Sequence, residues 1–501
     1  MASLRATPLI EDEAGTAGHQ SGEKDRWKPS AIAADIATLG TGTLLAGLFN
    51  VALVFVVPKL ISVEDYGYWR LFGLYAGYVG FMHFGFADGA LLRWAGRPME
   101  EFHHEIGPAL KYLFWQHLIV LIPLCAITAW VMPGPLRFVA IAVAIYAPLY
   151  NITATLQFAL QGARIFWPVA LSAVAAPSLL LVFLLLWPKR WPLDWREVIG
   201  LFLLAWVVPL AFLLAQTKSS SIPRREIGVK RLAMECIQNG WPIVMANTGV
   251  MLIVYADRLA VSWATRIQDF AQYSLAASAM AVPIMAIQAS SKVLFSHFAG
   301  VGPAGRKRIY NFSSRTLLIA WIFLLPYYFA LNVFVRHFLP KYIESLQYAR
   351  ILLLGIPFLA AIQILQMSYS YLNGMQRRFL TWTVVALAVS LGATSFAAFY
   401  VGSLQVVAAL QVVILSGWWL FNECTLRGMT GQTEGEWLWF LGVFLLAGAS
   451  YWLAGGLRLN VGVSIVLYCS SAAAIMSFSC RQEMKLIVRV MTGREGDIRE
   501  V

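Results

Sequence analysis

Long apolar stretches alternate with short polar segments along almost the whole chain. Each stretch holds about 20 residues, enough to cross the hydrocarbon core of a bilayer as one helix. Most of them lack a polar face, which excludes a soluble helical bundle. The pattern predicts fourteen transmembrane helices, placed at 36–60, 66–92, 108–132, 137–160, 166–187, 197–216, 239–263, 270–297, 314–336, 347–372, 379–401, 404–426, 437–456 and 461–480.

The polar segments divide the predicted helices into groups, and the fold class is an all-α integral membrane protein. In chain order we assign a disordered cytoplasmic tail (1–35), a six-helix bundle (36–216), a cytoplasmic linker (217–238), a second six-helix bundle (239–426), two additional helices (437–480) and a basic cytoplasmic tail (481–501). The first tail has few large apolar residues, as disordered segments do.

The two bundles repeat each other. After a shift of about 204 residues, the run Asp65–Trp69 falls on Asp269–Tyr273, and further on Leu160-Gln161-Gly162 matches Leu372-Asn373-Gly374. Six helices are an even number, so both halves have the same orientation. The repeat therefore predicts a pseudo-two-fold axis along the membrane normal, with a substrate path between the halves.

The charge pattern sets the orientation in the membrane. The net charge is +12, yet the cations form no dense patch, so nucleic-acid binding is not expected. Lys and Arg collect instead in every second loop, for example at Arg306, Lys307 and Arg308 and at Arg377 and Arg378. These loops should be cytoplasmic, which places both termini in the cytoplasm.

Charged residues inside the predicted helices are the candidate site. Asp257 and Arg258 lie within the helix at 239–263, together with Asn247, and Arg70 lies at a similar depth in the helix at 66–92. Charges at membrane depth are costly and usually mark a transport path. We predict that Arg70, Asn247, Asp257 and Arg258 form the substrate path. Two alternatives stay open: Arg70 could reach the interface, and Asp257 and Arg258 could make structural bonds.

A second pair of charges predicts a cytoplasmic gate. The 204-residue shift places Asp88 on Lys292, so equivalent positions of the two halves carry opposite charge. Residues near a two-fold axis can face each other, and we expect this pair to close the cytoplasmic end. The alternatives are that Asp88 caps a loop amide and that Lys292 reaches the interface.

Catalytic and cofactor chemistry is not indicated. The sequence has no phosphate-binding glycine loop with Lys and Ser/Thr, and no loop gathers paired carboxylates. The run His103-His104-Glu105 is interpreted as a solvated loop, and the five cysteines as packing residues without metal spacing. We expect no catalytic residue, cofactor or metal, and no enzyme.

Three segments resemble a known family. They are Pro58–Tyr68 (PKLISVEDYGY), Phe84–Gly96 (FGFADGALLRWAG), and Asp257-Arg258-Leu259 followed by Tyr273-Ser274. They are similar to the signature of bacterial polysaccharide and O-antigen flippases, a branch of the multidrug/oligosaccharidyl-lipid/polysaccharide exporter superfamily. The resemblance covers about residues 36–480. It implies a V-shaped cavity lined by helices 1, 2, 7 and 8 in the bacterial cytoplasmic (inner) membrane.

The resemblance also implies a substrate and partners. The substrate would be an oligosaccharide repeat unit on undecaprenyl diphosphate, destined for O-antigen, capsule or exopolysaccharide, and cations in the path suit its diphosphate. Partners would be membrane lipids, a polysaccharide polymerase and glycosyltransferases, with proton or cation coupling left open. Two alternatives remain: an ion-coupled small-molecule or multidrug antiporter of the same superfamily, and a membrane polysaccharide polymerase.

Overall fold

The structure, a computed structural model, is helical in every regular element it describes. The described residues are 29–188, 190–217, 228–280, 282–284, 303–430, 435–456 and 460–479. Within them, twelve helices are long and apolar enough to cross a membrane, so the chain is a multi-pass membrane protein. The basic segment 481–501 and Lys292 lie outside the described residues.

Sixteen helical segments are numbered here in chain order. They are α1 (Pro29–Leu60), α2 (Val63–Ala76), α3 (Phe86–Trp94), α4 (Met99–Val131), α5 (Gly134–Gly162), α6 (Phe166–Leu185), α7 (Trp195–Gln216), α8 (Val229–Ala264), α9 (Ile267–Ala279), α10 (Pro303–Leu324), α11 (Tyr327–Phe338), α12 (Ser345–Leu372), α13 (Gln376–Phe396), α14 (Leu404–Thr430), α15 (Gly435–Gly456) and α16 (Val461–Ser479).

All fourteen predicted helices correspond to these segments. Twelve of them are present as helices long and apolar enough to cross the membrane, and the other two are the predicted helices at 66–92 and 270–297. The predicted helix at 66–92 is present as two short helices, α2 and α3, neither of which can span a bilayer alone. The predicted helix at 270–297 begins as α9, and most of its remainder lies outside the described residues. Four helices also start at least seven residues before their predicted positions: α1 at Pro29, α4 at Met99, α8 at Val229 and α10 at Pro303.

The predicted repeat agrees with the positions of the helices. Helix α2 begins at Val63 and α9 at Ile267, a separation of 204 residues. The two helices pack side by side, so close that a methyl group on Gly67 would lie 2.5 Å from the Ile267 carbonyl oxygen. Equivalent helices of the two halves are therefore in direct contact.

Helix α8 joins the two halves. Its first part packs on α3 and α4 of the first half, and its last part packs on α13 of the second half. Gln411 and Thr394 of the second half bond to its backbone, at the carbonyls of Ile253 (2.8 Å) and Ala256 (3.5 Å). At 36 residues it is about 54 Å long, well beyond the thickness of a hydrocarbon core.

The contact between α3 and the first part of α8 is made by backbone atoms. A methyl group built on Gly89 would lie 1.8 Å from the Cys236 carbonyl oxygen, and one on Gly240 would lie 1.8 Å from the Gly85 carbonyl oxygen. Only glycine permits such an approach. We call this contact, formed by Gly85, Gly89, Cys236 and Gly240, the α3–α8 seam.

The two additional helices, α15 and α16, pack on the second half through buried aromatic side chains. The Tyr451 hydroxyl donates to the Arg350 carbonyl (3.2 Å), and the Tyr468 hydroxyl donates to the Ile322 carbonyl (2.8 Å). Buried hydroxyls with partners of this kind fix the position of a helix inside a membrane. These helices thus extend the second half and do not separate the two bundles.

Candidate functional site

The second predicted helix is broken between α2 and α3. Between α2 and α3 the chain forms a short 3-10 turn at Val79–His83, and then Phe84 and Gly85 adopt left-handed conformations with φ of 51° and 83°. Such a break frees backbone groups that need partners inside a membrane. Asn151 donates to the Val79 carbonyl (2.9 Å), and Nδ1 of His83 accepts from the Gly85 amide (3.0 Å). Discontinuous helices of this type surround substrate sites in many transporters.

A cavity of about 90 Å³ lies directly beside this break, between α2, α8 and α9. Its lining residues are Arg70, Gly73, Leu74, Gly77, Tyr255, Arg258 and Ser274. Gly73 and Gly77 lack side chains and leave room on the α2 wall. Two of the predicted site residues, Arg70 and Arg258, are therefore brought together, and no carboxylate is among the described residues that line the cavity.

Several polar atoms around this cavity are buried without a hydrogen-bond partner. They are the Nε atoms of Arg70 and Arg258, the Oγ of Ser274, and the hydroxyls of Tyr66 and Tyr78. Buried polar atoms in proteins are nearly always bonded, so a local group of unbonded ones indicates a place for a ligand or water. All five groups can donate a hydrogen bond, which is the requirement for binding an anion.

Arg258 is held in place by the wall of the cavity. Its guanidinium lies over the ring of Tyr255, with Cζ 4.6 Å from the ring centroid, and Nη2 donates to the Ala277 carbonyl at 3.4 Å. An arginine oriented in this way keeps its remaining donors available for a second partner.

Asp257 and Asn247 do not line the cavity. The Asp257 side chain is buried, with 2 % of its surface exposed, and Oδ2 accepts from the Tyr273 hydroxyl at 2.6 Å. Its Oδ1 accepts from the backbone amide of Arg258 at 2.7 Å. Asn247 lies earlier on α8, ten residues before Asp257, with its side chain exposed. The structure therefore places Arg70 and Arg258 in the cavity, Asp257 behind its wall and Asn247 away from it.

Of the predicted gate, only Asp88 is described. It lies in the first turn of α3, where Oδ2 is 3.6 Å from Nε2 of His83 and the side chain is 17 % exposed. Lys292 lies outside the described residues.

An ionic network that the sequence did not indicate lies on the same helix as Asp88, beside the α3–α8 seam. Arg93 on α3 bonds to Glu105 on α4 through Nε (2.7 Å) and to Glu235 on α8 through Nη1 (2.6 Å). Trp94 also donates to Glu105 (2.9 Å), and Arg231 bonds to Glu235 (2.9 Å). Glu105 is 2 % exposed and all three residues belong to α4, so the interpretation of His103-His104-Glu105 as a solvated loop was wrong.

Sequence reasoning missed this network because its partners are far apart in the chain. The sequence holds one signal for it. Arg93 follows the predicted helix at 66–92, and Glu105 and Glu235 stand just before the predicted helices at 108–132 and 239–263. Among the described residues no group of His, Cys, Asp and Glu could hold a metal ion.

Polar and aromatic contacts join the two halves beside the cavity, between α2 and the second half. The rings of Tyr66 and Tyr342 meet edge to face with centroids 5.4 Å apart, and Gln268 donates to Glu64 at 3.0 Å. Gly67 packs on the Ile267 backbone. Helices α2 and α9 are therefore in close contact beside the cavity, and α3 and α8 are in close contact at the seam.

The fold is similar to that of several solved transporters. The lipid II flippase MurJ, in an inward closed conformation, is 12 % identical, with a TM-score of 0.67, covering 89 % of this chain and 99 % of that one. An inward-facing multidrug resistance MATE family transporter of the MOP superfamily is 12 % identical, with a TM-score of 0.57 and coverage of 78 % and 96 %.

A third solved structure is a MOP superfamily transporter from Pyrococcus furiosus, described as having a binding pocket of reverse polarity. It is 12 % identical, with a TM-score of 0.53 and coverage of 80 % and 96 %. No protein family model matches the chain. No curated protein sequence matches it either. The chain thus has the fold shared by transporters of the MOP superfamily, the same superfamily that the sequence resemblance named.

Proposed function

We propose that the protein is a flippase that moves an oligosaccharide repeat unit linked to undecaprenyl diphosphate across the bacterial cytoplasmic membrane, for O-antigen, capsule or exopolysaccharide synthesis. Arg70 and Arg258 receive the diphosphate during passage. The observation that carries this proposal is the group of unbonded donors around the cavity, two of them guanidinium nitrogens, with no carboxylate among the described lining residues. A diphosphate supplies the charge and the several acceptor oxygens that such a group requires.

The roles of Asp257 and Asn247 follow from their positions. Asp257 is held by Tyr273 and by the Arg258 backbone, so its carboxylate does not compete for the Arg258 guanidinium. It acts in the substrate path by positioning Arg258. Asn247 precedes Arg258 by 11 residues on α8, which is about 16 Å along a helix. At that distance from the diphosphate site it would meet sugars.

Closure at the cytoplasmic end involves Asp88 and Lys292. They approach each other when the cavity is closed to the cytoplasm and separate when it opens, so that alternating access depends on contacts made in one state only. An Asp88→Lys, Lys292→Asp exchange should restore much of the transport that either single change removes. An exchange as inactive as the single variants would remove the pair from the gate.

An organic-cation antiporter fits the cavity less well. Such a protein needs acidic residues in its binding site, and the described lining contains two arginines instead. A polysaccharide polymerase would need a large soluble loop bearing reactive groups, and the connections that the structure describes are short. Membrane lipids, a polymerase and glycosyltransferases are the proposed partners, and a proton or cation gradient is the proposed energy source.

The proposal is tested by binding of undecaprenyl diphosphate to the purified protein, measured by native mass spectrometry. Arg70→Ala and Arg258→Ala should each weaken binding about tenfold or more, since a hydrogen bond to a charged group contributes about 1.5–3 kcal/mol. Arg258→Lys should bind with intermediate affinity because lysine cannot hold two phosphate oxygens at once. The matched control is Arg336→Ala, which removes an exposed arginine on α11 that bonds to Asn332.

Two outcomes would refute the proposal. One is equal binding of undecaprenol, which lacks the diphosphate. The other is undiminished binding by both Arg70→Ala and Arg258→Ala. In cells, Arg258→Ala should abolish polysaccharide export while the protein remains in the membrane.

A further inference from the structure

A second polar pocket lies in the second half of the molecule, remote in sequence from the cavity. It opens between the end of α12, the start of α13 and the end of α14, and Ser370, Met375, Arg378, Trp382 and Asn422 are among its lining residues. We call it the α12–α14 pocket. Neither the proposed function nor the charge analysis of the sequence assigns it a role.

The Asn422 side chain is the central observation. Only 2 % of its surface is exposed, and its Nδ2 is buried without a hydrogen-bond partner although the residue lines the pocket. A buried donor left unbonded is destabilising, so an acceptor is expected to reach it from the pocket.

The other polar groups at the pocket also favour an anionic acceptor. Arg378 lines it with an exposed side chain, and α13 starts beside it at a residue, Met375, whose side chain does not cap the helix. The uncapped start of a helix attracts negative charge. The nearest carboxylate in sequence, Glu423, is already bonded to Arg427 (2.7 Å) and Gln366 (3.1 Å) and is 1 % exposed. It therefore offers no free negative charge to the pocket.

The depth of the pocket identifies the source of the anion. The membrane-crossing part of α13 starts at Arg377, and that of α14 ends at Arg427, so the pocket lies at the membrane–water interface. One turn deeper, the ring of Trp382 stacks on that of Phe421 with centroids 5.1 Å apart, and Phe421 is 57 % exposed toward lipid. A polar pocket above an exposed aromatic surface matches the headgroup and upper acyl chains of a phospholipid.

We propose that the α12–α14 pocket binds the phosphate group of an anionic phospholipid. Arg378 and the Asn422 amide donate to the phosphate oxygens, and the acyl chains lie against Trp382 and Phe421. Basic pockets between transmembrane helices at the cytoplasmic face are typical sites for such headgroups. Because no carboxylate is among the described residues that line the pocket, a zwitterionic lipid finds no partner there for its ammonium group, and phosphatidylglycerol is preferred over phosphatidylcholine.

The test uses the purified full-length protein and titrates it with phosphatidylglycerol, phosphatidylcholine or inorganic phosphate, with bound lipid counted by native mass spectrometry. Arg378→Ala should weaken phosphatidylglycerol binding about tenfold, the loss of one charge-assisted hydrogen bond. The matched control is Arg377→Ala, which removes the same charge from the adjacent exposed residue outside the pocket. Asn422→Leu keeps the size of the side chain, removes the donor and should also weaken binding.

Each alternative outcome overturns the proposal. Equal losses in Arg377→Ala and Arg378→Ala would mean attraction by surface charge alone. Equal binding of phosphatidylcholine would exclude selection for an anionic headgroup. Thermal unfolding is measured as well, and if inorganic phosphate stabilises the protein as much as phosphatidylglycerol does, a lipid site is excluded. The substrate cavity is not altered by these variants, so its own test is independent.

Discussion

The α3–α8 seam gives the most quantitative prediction, through Gly89→Ala. The added methyl group would lie 1.8 Å from the Cys236 carbonyl oxygen, whereas ordinary contact begins at 3.4 Å, so the two helices must part by about 1.6 Å. The atoms nearest to the added methyl group are backbone atoms of Cys236, which cannot turn aside as a flexible side chain could. A shift of that size carries Arg93 Nη1 and Glu235 Oε2, now 2.6 Å apart, beyond hydrogen-bond distance.

The expected cost is about 3 kcal/mol, the upper end of the usual range for overpacking, since backbone must move. Thermal unfolding of the purified protein should occur at a clearly lower temperature. The native Cys236, 1 % exposed in the seam, should also react faster with a thiol reagent, as measured by mass spectrometry of its peptide.

The control for this experiment is Gly200→Ala in α7, where nothing lies within 4 Å of the added methyl group. That change should stabilise the helix by roughly 0.5–1 kcal/mol, because alanine is the better helix former. If Gly89→Ala unfolds at the same temperature as Gly200→Ala and leaves Cys236 equally protected, the close approach of α3 and α8 is wrong.

Two further predictions concern the ionic network at the seam and the buried carboxylate behind the cavity wall. Glu235→Gln should lower the unfolding temperature only slightly, because Arg93 keeps its bonds to Glu105. It should also speed the labelling of Cys236 by a thiol reagent. Unchanged labelling would show that the network does not hold the seam. Tyr273→Phe removes the 2.6 Å hydrogen bond to the buried Asp257 carboxylate, which can then compete for the arginines of the cavity. Undecaprenyl diphosphate should therefore bind about tenfold more weakly. Full affinity in the native mass spectrum would contradict this.

Much of the fold follows from the sequence because it depends on local patterns. Apolar length gives the helices, and the repeat predicts that α2 and α9 are equivalent, which their starts at Val63 and Ile267 bear out. The break between α2 and α3 was not predicted. Glycines are common in transmembrane helices, and here the broken backbone is satisfied by Asn151, which lies 72 residues after its partner.

The candidate site could likewise be predicted from the sequence only where local patterns determine it. Arg70 and Arg258 were recognised because charge at membrane depth is rare, and the structure places both at one cavity. The direction of a side chain is set by tertiary partners instead. Asp257 turns away from the cavity because the Tyr273 hydroxyl and the Arg258 amide take both of its oxygens. Nothing local to Asp257 encodes the contact with Tyr273, which comes from the next helix.

The size and charge of the cavity together determine what substrate binding must do. At about 90 Å³ the cavity is far below the roughly 300–1,000 Å³ of sites that enclose drug-sized ligands, so a diphosphate with its sugars requires the halves to separate. Two guanidinium groups in a membrane interior repel each other and favour that separation. The seam and the aromatic contacts between α2 and the second half oppose it. A diphosphate that neutralises both arginines removes the repulsion, so binding itself shifts the balance between open and closed states.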